Sequence, residues 1–427
     1  MQGPSLPEGG PGLPSTDSRL QANIWKYYVF HFFLNFQLWW PIWIIYLTEK
    51  RGLTLGQVTL IDVPFWLSII VLQVPAAAIA DRWGRRPTLI ASAAAFAVAI
   101  TFFGLASSFW LILGSYFIWG IAFSLLSGAE SAFIYDTLKS LGRESEYPKV
   151  YGRQWAIAMG ATVAGTLLGA PLAAATDLSV PIVLSGGVAG FALLAALAFK
   201  EPLREGARDH TPSYGHIIRE SVHIVRTQPA VRYSILFFGL LAVGMIAPIF
   251  FFQPFLVRHD IGVGSLGLWQ TPMRVAGIVG ALAAARLIMA LGERRAFYLM
   301  PVLLAASYAL LAAWDSVYAQ IVFPVINFVL VFSQPTVTNY LNRRLPSEQR
   351  ATVMSLTNLV RSAVLVPSAP LLGVLADEAS LSASFAVGGV IIAALALPLL
   401  LLWTPHLDRG AIEEPALAEP AAVSGRD

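Results

Sequence analysis

The sequence predicts an all-α integral membrane protein that consists of two bundles of six transmembrane helices. Three observations lead to this prediction. Hydrophobic residues make up 56% of the 427 residues and charged residues only 12%, whereas about a quarter of the residues in soluble domains are charged. The apolar residues fall into twelve long runs, and the basic residues cluster in alternate loops between those runs.

A helix that crosses the hydrocarbon core of a bilayer needs about 20 apolar residues. The twelve apolar runs of the chain are 24–48, 57–80, 88–106, 110–136, 150–174, 180–199, 231–256, 264–287, 296–313, 317–341, 350–376 and 383–403. The two ends, residues 1–23 and 406–427, lack such a run and are predicted to be disordered cytoplasmic tails.

The basic residues predict the orientation, because cytoplasmic loops carry an excess of Lys and Arg. If the N-terminus is cytoplasmic, 23 of the 28 basic residues lie in cytoplasmic segments and three lie in outer loops. The other two, Arg274 and Arg361, lie within predicted spans. We therefore expect a plasma (inner) membrane protein with both termini in the cytoplasm.

The longest predicted loop, residues 200–230, separates two six-helix halves, 24–199 and 231–405. We predict within it an amphipathic helix on the inner membrane surface. Its apolar face consists of Tyr214, Ile217, Ile218, Val222 and Val225, and its polar face consists of His216, Arg219, Glu220, His223 and Arg226. Two interpretations remain open: a tether between the halves, or a regulatory element.

A short charged loop with the sequence AAAIADRWGRRP separates the second and third spans. It sets Asp81, Arg82, Arg85 and Arg86 around Gly84. The loop is too short for a domain, so we predict a tight hairpin between two helices, where a glycine permits a positive φ.

Residues 80–86 of this loop resemble the signature G-x-x-A-D-R-x-G-R-R of the major facilitator superfamily. The chain differs from the signature at Ala77, where the family usually has Gly. Together with the helix count, the resemblance covers roughly Ile24–Pro405. Residues 286–295, RLIMALGERR, follow the second span of the second half and keep Gly292 and two arginines, which indicates an internal repeat.

The resemblance implies a conformational latch. In the family, the aspartate of this loop caps the eleventh helix, which would begin here at Arg350–Met354, and so closes the cytoplasmic side; a carboxylate is stabilised at a helix N-terminus. The resemblance also implies that Arg85 pairs with an acid on the fourth helix, for which Asp136 is the best match. The predicted latch residues are Asp81, Arg82, Gly84, Arg85, Arg86 and Asp136. The alternative is that these charges only anchor the topology.

Four charged residues lie well inside predicted spans, away from their ends; a charge there costs a few kcal/mol at the bilayer centre and usually has a function. Asp62 and Glu130 lie in the first half, and Arg274 and Arg361 lie in the second. Opposite charges on two moving halves can pair in one state and separate in the other. Because the second helix neighbours the eleventh in this fold, we predict that Asp62 pairs with Arg361. Static contacts within one half are the alternative.

Two of these residues have a second interpretation. Glu130 lies in an apolar run among small residues, a setting that suits proton coupling, and the alternative is a structural hydrogen-bond partner. Arg274 is a candidate for binding an anionic or zwitterionic substrate.

The first span is unusually polar and aromatic. The family forms its substrate site from the first, fourth, seventh and tenth helices, so the resemblance supplies further candidates. These are Asn35, Gln37, Trp39 and Trp40 on the first span, Gln253 on the seventh, and Asn327 and Gln334 on the tenth. The three tryptophans Trp39, Trp40 and Trp43 can line the cavity or form the outer aromatic belt. We predict the belt for Trp43 and the cavity for the other two. Prolines that can bend these helices are Pro41, Pro248, Pro324 and Pro335.

The fifth span contains Gly160, Gly165, Gly169 and Pro171. This set loosely resembles the glycine-proline pattern of antiporters in the superfamily, which favours export. The alternative is that the glycines only mark close helix packing.

The resemblance thus implies a secondary transporter that uses alternating access. We predict proton-coupled efflux of an amphiphilic compound; the alternatives are proton-coupled uptake of a metabolite or organic anion and, more remotely, a non-transporting sensor. The sequence has no GxxxxGK[ST], HExxH or GxSxG motif, so we predict neither an ATP-driven pump nor an enzyme. The expected partners are a small-molecule substrate, a proton or other coupling ion, and the bilayer. We expect a monomer with no cofactor, no metal and no nucleic acid.

Overall fold

The structure is a computed structural model and describes residues 15–202, 219 and 223–407. Within these ranges every regular element is helical. The α-helices are α1 Ser15–Asn35, α2 Trp43–Ile45, α3 Leu55–Ile61, α4 Val63–Trp83, α5 Arg85–Leu105, α6 Phe109–Ser140, α7 Tyr147–Ala175, α8 Val180–Leu197, α9 Pro229–Leu241, α10 Phe252–Arg258, α11 Leu266–Leu291, α12 Glu293–Ala313, α13 Val322–Asn342, α14 Ser347–Glu378 and α15 Leu381–Leu407. Single π-helical turns occur at Tyr46–Lys50 and Ala247–Phe251.

The all-α membrane fold is confirmed. Eleven helical spans in the described part of the chain are long and apolar enough to cross a bilayer, and they correspond to the second to twelfth predicted spans. The first predicted span, 24–48, is wrong as a continuous helix. Helix α1 ends at Asn35, and α2 begins only at Trp43. Most of the predicted amphipathic helix lies outside the described residues.

Proline explains the interruption of the first span. In a continuous helix the ring of Pro41 would clash with the carbonyl of Gln37, four residues earlier. The backbone N–H of Leu38, freed by the break, donates to Oγ of Ser185 at 2.8 Å. The side-chain amide of Gln37 donates to the carbonyl of Leu34, also at 2.8 Å. Side-chain hydrogen bonds thus satisfy part of the backbone at the break.

Two glycines of α7 pack against the backbone of this break. A Cβ at Gly169 would lie 1.8 Å from the carbonyl oxygen of Leu38, and one at Gly165 would lie 2.8 Å from that of Gln37. At Gly160, by contrast, a Cβ would meet nothing within 4 Å. Two of the three glycines singled out in the fifth span, Gly165 and Gly169, thus serve close packing against irregular backbone.

The described chain separates into two compact units. One contains the described residues up to Leu53, those from Leu60 to residue 202, and Asp260–Thr271. The other contains Thr54–Thr59, the described residues from 219 to His259, and those from Pro272 to residue 407. The units differ from the predicted halves in two short stretches: Thr54–Thr59 belongs to the second unit and Asp260–Thr271 to the first. Each stretch packs closely against other residues of its unit. In the first unit, a Cβ at Gly267 would lie 2.1 Å from the carbonyl oxygen of Thr166.

The second unit contains an irregular helix of its own. Between α9 and α10 the chain passes through a 3-10 turn, Ala242–Met245, and the π-helical turn that contains Pro248. The hydroxyl of Tyr308 on α12 accepts from the backbone N–H of Ala247 at 3.0 Å and donates to the carbonyl of Val243 at 2.9 Å. One buried tyrosine thereby satisfies two backbone groups that a regular helix would have paired.

Candidate functional site

The strongest cluster of titratable groups in the first unit joins α1 and α6. Tyr27 and His31 lie four residues apart on α1, so both side chains project from the same helix face. The hydroxyl of Tyr27 donates to Oε1 of Glu130 on α6 at 3.2 Å. Nε2 of His31 lies 3.4 Å from the same oxygen. The side chain of Glu130 is 18% exposed and that of His31 only 3%.

Packing fixes this cluster in place. The ring of His31 meets the edge of the Tyr27 ring, with 4.5 Å between ring centres. Near the start of α1, the side chain of Asn23 donates to the carbonyl of Lys200 and accepts from its backbone N–H, at 2.8 and 2.9 Å. The carboxyl group thus accepts a hydrogen bond from a phenol and lies beside a buried imidazole whose Nε2 has no hydrogen-bond partner among the described residues. Titratable groups in such contact can bind and release a proton. Glu130 was a predicted site residue, whereas its partners Tyr27 and His31 were not. The spacing of Tyr27 and His31 on one helix face was the available signal.

The charged loop forms a compact structure at one end of the first unit. A single residue, Gly84, links α4 to α5, and its φ of +125° requires glycine. Arg85 contacts two carboxylates: its Nη1 lies 2.6 Å from Oδ1 of Asp81, and its Nε lies 3.5 Å from Oδ2 of Asp136. The structure therefore brings together Arg85 and its predicted acid partner on α6. The predicted contact of Asp81 with Arg350–Met354 joins residues of different units and remains a prediction.

A carboxylate that sequence reasoning missed completes this loop. The two carboxylate oxygens of Glu201 accept from the backbone N–H groups of Arg85 and Arg86, each at 2.8 Å. These amides are among the first of α5, which have no partner within the helix. Nη2 of Arg86 also donates to the carbonyl of Leu197 at 2.9 Å. The loop is thereby attached to the end of α8.

Ala77 of α4 replaces the usual glycine of the signature, and Gly128 of the neighbouring helix α6 provides the close contact instead. A Cβ at Gly128 of α6 would lie 2.9 Å from the backbone of both Ala76 and Ala77. The close approach of α4 and α6 therefore depends on the glycine of α6, so Ala77 is compatible with it.

The first-span candidates divide into two groups. Gln37 is 3% exposed and Trp39 only 2%, and Nε1 of Trp39 donates to Oε1 of Gln37 at 2.8 Å. These contacts favour a structural role for both residues. Trp40 stacks on Trp39 with 4.4 Å between ring centres and is less buried. Asn35 is half-buried, and its amide donates to the carbonyl of His31.

One further expectation, that for Trp43, needs correction. Trp43 is 3% exposed and packs against Trp39 and Tyr116, so the prediction that it lies in a lipid-facing aromatic belt is wrong. Asp62 lies inside the span Leu55–Leu72, as predicted, at the one-residue turn between α3 and α4, and its Oδ2 accepts from Nε1 of Trp66 at 2.5 Å. Neither turn nor partner is visible in the periodicity of the sequence.

The second unit contains the two intramembrane arginines. Nη2 of Arg361 on α14 lies 2.9 Å from Sδ of Met245. Nε of Arg274 on α11 is buried and has no hydrogen-bond partner among the described residues. Beside Arg274, the amide of Asn327 donates to the carbonyl of Met273 at 2.7 Å.

The remaining predicted residues also lie in this unit. Gln253 is fully buried. Gln334 is exposed and lines a small cavity together with Arg361. The predicted pairing of Arg361 with Asp62 involves residues of different units and stays a prediction.

These features define a multi-pass α-helical membrane protein with titratable groups inside its helix bundles. The profile of the Major Facilitator Superfamily matches residues 28–369. This match extends over well more than half of the chain, and the chain therefore belongs to the Major Facilitator Superfamily. It is accordingly a membrane-embedded transporter of small molecules rather than an enzyme.

Solved structures agree with this fold. The chain is similar to the nucleoside transporter NupG (10% identity, TM-score 0.74), with 91% of this chain and 99% of that chain covered. It is similar to a POT family peptide transporter in an auto-inhibited form (12% identity, TM-score 0.71, 94% and 99% covered). It is also similar to a bacterial homologue of the human lysosomal transporter Spinster, inward-facing and unoccupied (16% identity, TM-score 0.67, 95% and 100% covered). None of the curated proteins compared with the chain matches it significantly.

Proposed function

We propose that this chain is a proton-coupled antiporter that exports an amphiphilic solute by alternating access. The observation that carries the proposal is the contact of Glu130 with Tyr27 and His31. We further propose that the protein is a monomer in the plasma membrane with both termini in the cytoplasm.

Glu130 is the proposed proton carrier. Its carboxyl group and the imidazole of His31 are both titratable, and they lie 3.4 Å apart. A net charge in so enclosed a place is energetically unfavourable, so gain or loss of one proton changes which conformation the protein prefers. The hydroxyl of Tyr27 holds the carboxyl group in position. Coupling needs such a link between proton occupancy and conformation.

The proposed latch is Asp81, with Arg82, Gly84, Arg85, Arg86 and Asp136 as its support. The ion pair of Asp81 with Arg85, and that of Arg85 with Asp136, support an ordered loop whose carboxylate is held at a defined place. We expect Asp81→Asn to abolish transport while expression and thermal stability stay normal. Transport at the wild-type rate in that variant would rule out the latch.

A second candidate is proton-coupled uptake of a metabolite or an organic anion. Arg274 and Arg361 favour it, because a guanidinium group inside a membrane-spanning bundle is a natural partner for an anionic solute. The structural neighbours are named as nucleoside and peptide transporters, so the shared fold does not select one solute class.

Inside-out membrane vesicles test the proposed antiport. Their lumen is first acidified, and a fluorescent amine reports the proton gradient. We expect an amphiphilic compound that the protein exports to enter the lumen in exchange for protons and to dissipate the gradient. Vesicles with Asp81→Asn and vesicles without the protein are the controls. Failure of amphiphilic cations, anions and neutral compounds alike to dissipate the gradient beyond the level of the controls would overturn the proposal.

A further inference from the structure

Arg361 of the second unit has an unusual set of contacts. Its guanidinium carbon lies 5.7 Å from the centre of the Phe238 ring, and its Nη2 lies 2.9 Å from Sδ of Met245. A guanidinium group offers five N–H donors, and a thioether sulfur is a weak acceptor. No carboxylate pairs with Arg361 among the described residues. Most of its hydrogen-bonding capacity is therefore unused.

The sequence of this half gives the guanidinium no acid inside the membrane. From residue 229 to residue 407 the acidic residues are Asp260, Glu293, Asp315, Glu348, Asp377 and Glu378. All of them lie in loops or within two residues of a helix end. An unpaired charge at membrane depth is costly. A ligand that supplied a negative charge would offset that cost.

A cavity of about 20 Å³ lies beside this guanidinium, which is room for about one water molecule. Its lining combines apolar side chains with one free amide. The lining residues, apart from Ala242 and Arg361, are Phe238, Leu241, Met245, Leu330, Ser333 and Gln334. The hydroxyl of Ser333 already donates to the carbonyl of Leu330 at 2.7 Å. Gln334 is exposed, so its amide is accessible next to the charge.

We infer that Arg361 binds the carboxylate of an amphiphilic organic anion. Because Phe238 and Leu241 are buried and the cavity has room for about one water molecule, the lining opens for the apolar body of that anion to pack against these two side chains. A planar guanidinium group matches a carboxylate with two parallel hydrogen bonds. Met245 has a flexible side chain and moves away from the guanidinium as the carboxylate enters. The amide of Gln334 donates a further hydrogen bond. This inference rests on the proposed function, because it names the solute class of that transporter.

One guanidinium and one amide suit a monovalent carboxylate better than a phosphate. A phosphate carries a larger charge and more acceptor oxygens than these donors can satisfy. The apolar lining likewise favours a hydrophobic acid over a small, strongly hydrated one.

Binding of 1-naphthoate and its uncharged amide, 1-naphthamide, to the purified full chain provides the test. The two probes have nearly the same size and differ in charge. Thermal-shift titration gives a dissociation constant for each without any proton gradient. We expect wild-type protein to bind 1-naphthoate and to bind the amide at least tenfold more weakly. Equal binding of both, or no binding of 1-naphthoate, would overturn the inference.

Three variants make the assignment specific. Arg361→Gln is expected to weaken 1-naphthoate binding about 30-fold or more, whereas Arg361→Lys keeps the charge and should lose less. Met245→Leu removes the competing sulfur at similar volume and should bind 1-naphthoate as well as wild type or more tightly. Arg295→Gln, at an exposed arginine of the same unit, is the control. Unchanged binding in Arg361→Gln contradicts the inference. If that variant does not fold, weaker binding to Met245→Leu than to wild type contradicts it instead.

The binding assay and the vesicle assay test the carboxylate site and the antiport independently. Gradient dissipation by cations or neutral compounds, without 1-naphthoate binding, would overturn the carboxylate site and leave the antiporter. Binding of 1-naphthoate that depends on Arg361, without any gradient dissipation, would leave the site and overturn the antiporter.

Discussion

The carboxylate of Asp377 accepts a hydrogen bond of 2.7 Å from the backbone N–H of Gly56. Its other oxygen accepts one of 2.8 Å from Leu55. Both donors are at the start of α3, where backbone N–H groups lack partners within the helix. Close packing accompanies the cap, because a Cβ at Gly373 would lie 2.8 Å from the carbonyl oxygen of Leu55. Asp377 thus attaches Thr54–Thr59 to the second unit.

We expect Asp377→Ala to loosen this attachment. Loss of a helix cap costs about 1 kcal/mol, which corresponds to roughly fivefold faster hydrogen exchange if the segment opens locally. Mass spectrometry of the peptide that contains residues 54–59 measures the rate. Glu378→Ala, at the next residue and likewise exposed, should leave the rate unchanged. Equal exchange in all three proteins would show that the cap does not hold the segment.

Glu201 should matter for the stability of the first unit. Replacement by Ala removes both hydrogen bonds to the start of α5, and we expect a loss of about 1–2 kcal/mol in the free energy of unfolding. Glu201→Gln retains one carbonyl oxygen as an acceptor and should lose less. Unfolding in detergent monitors both variants. The exposed Glu144 provides a control, and a Glu144→Ala variant as unstable as Glu201→Ala would contradict the assignment.

Two glycines of α7 form a matched pair. A methyl group at Gly169 would overlap the carbonyl oxygen of Leu38, whereas one at Gly160 would meet open space. We therefore expect Gly169→Ala to destabilise the protein by about 1–3 kcal/mol or more, as overpacking does. Gly160→Ala should be neutral or stabilise the helix by up to about 1 kcal/mol. The melting temperatures of the two variants are compared in the same detergent. Similar values would contradict the close packing of Gly169 against Leu38.

The sequence was sufficient to predict most of the fold. Long apolar runs define spanning helices wherever the run is regular, as in α6 or α15, because only a helix satisfies its own backbone in lipid. The same reasoning fails between Asn35 and Trp43. There Pro41 interrupts the helix, and the irregular backbone packs against Ser185 and the glycines of α7, which are far away in sequence.

The candidate site was predictable only in part. Glu130 could be found because a carboxylate within an apolar run is conspicuous, and Arg85 and Asp136 because the family resemblance names both. Glu201 could not be found, because an acid in a polar loop carries no local sign that it caps a distant helix. The burial of Trp39 and Trp43 could not be predicted either, because an aromatic residue is equally suited to a substrate cavity, a membrane-interface belt or a protein core.

The most direct test of the account compares two transport modes in Glu130→Gln. Once a transported compound is identified in the vesicle assay, purified protein in liposomes is measured with a pH gradient and, separately, in exchange of labelled for unlabelled compound without one. We expect Glu130→Gln to lose gradient-driven transport and keep exchange, whereas Glu144→Gln keeps both. Gradient-driven transport at the wild-type rate in Glu130→Gln would show that Glu130 does not couple transport to protons.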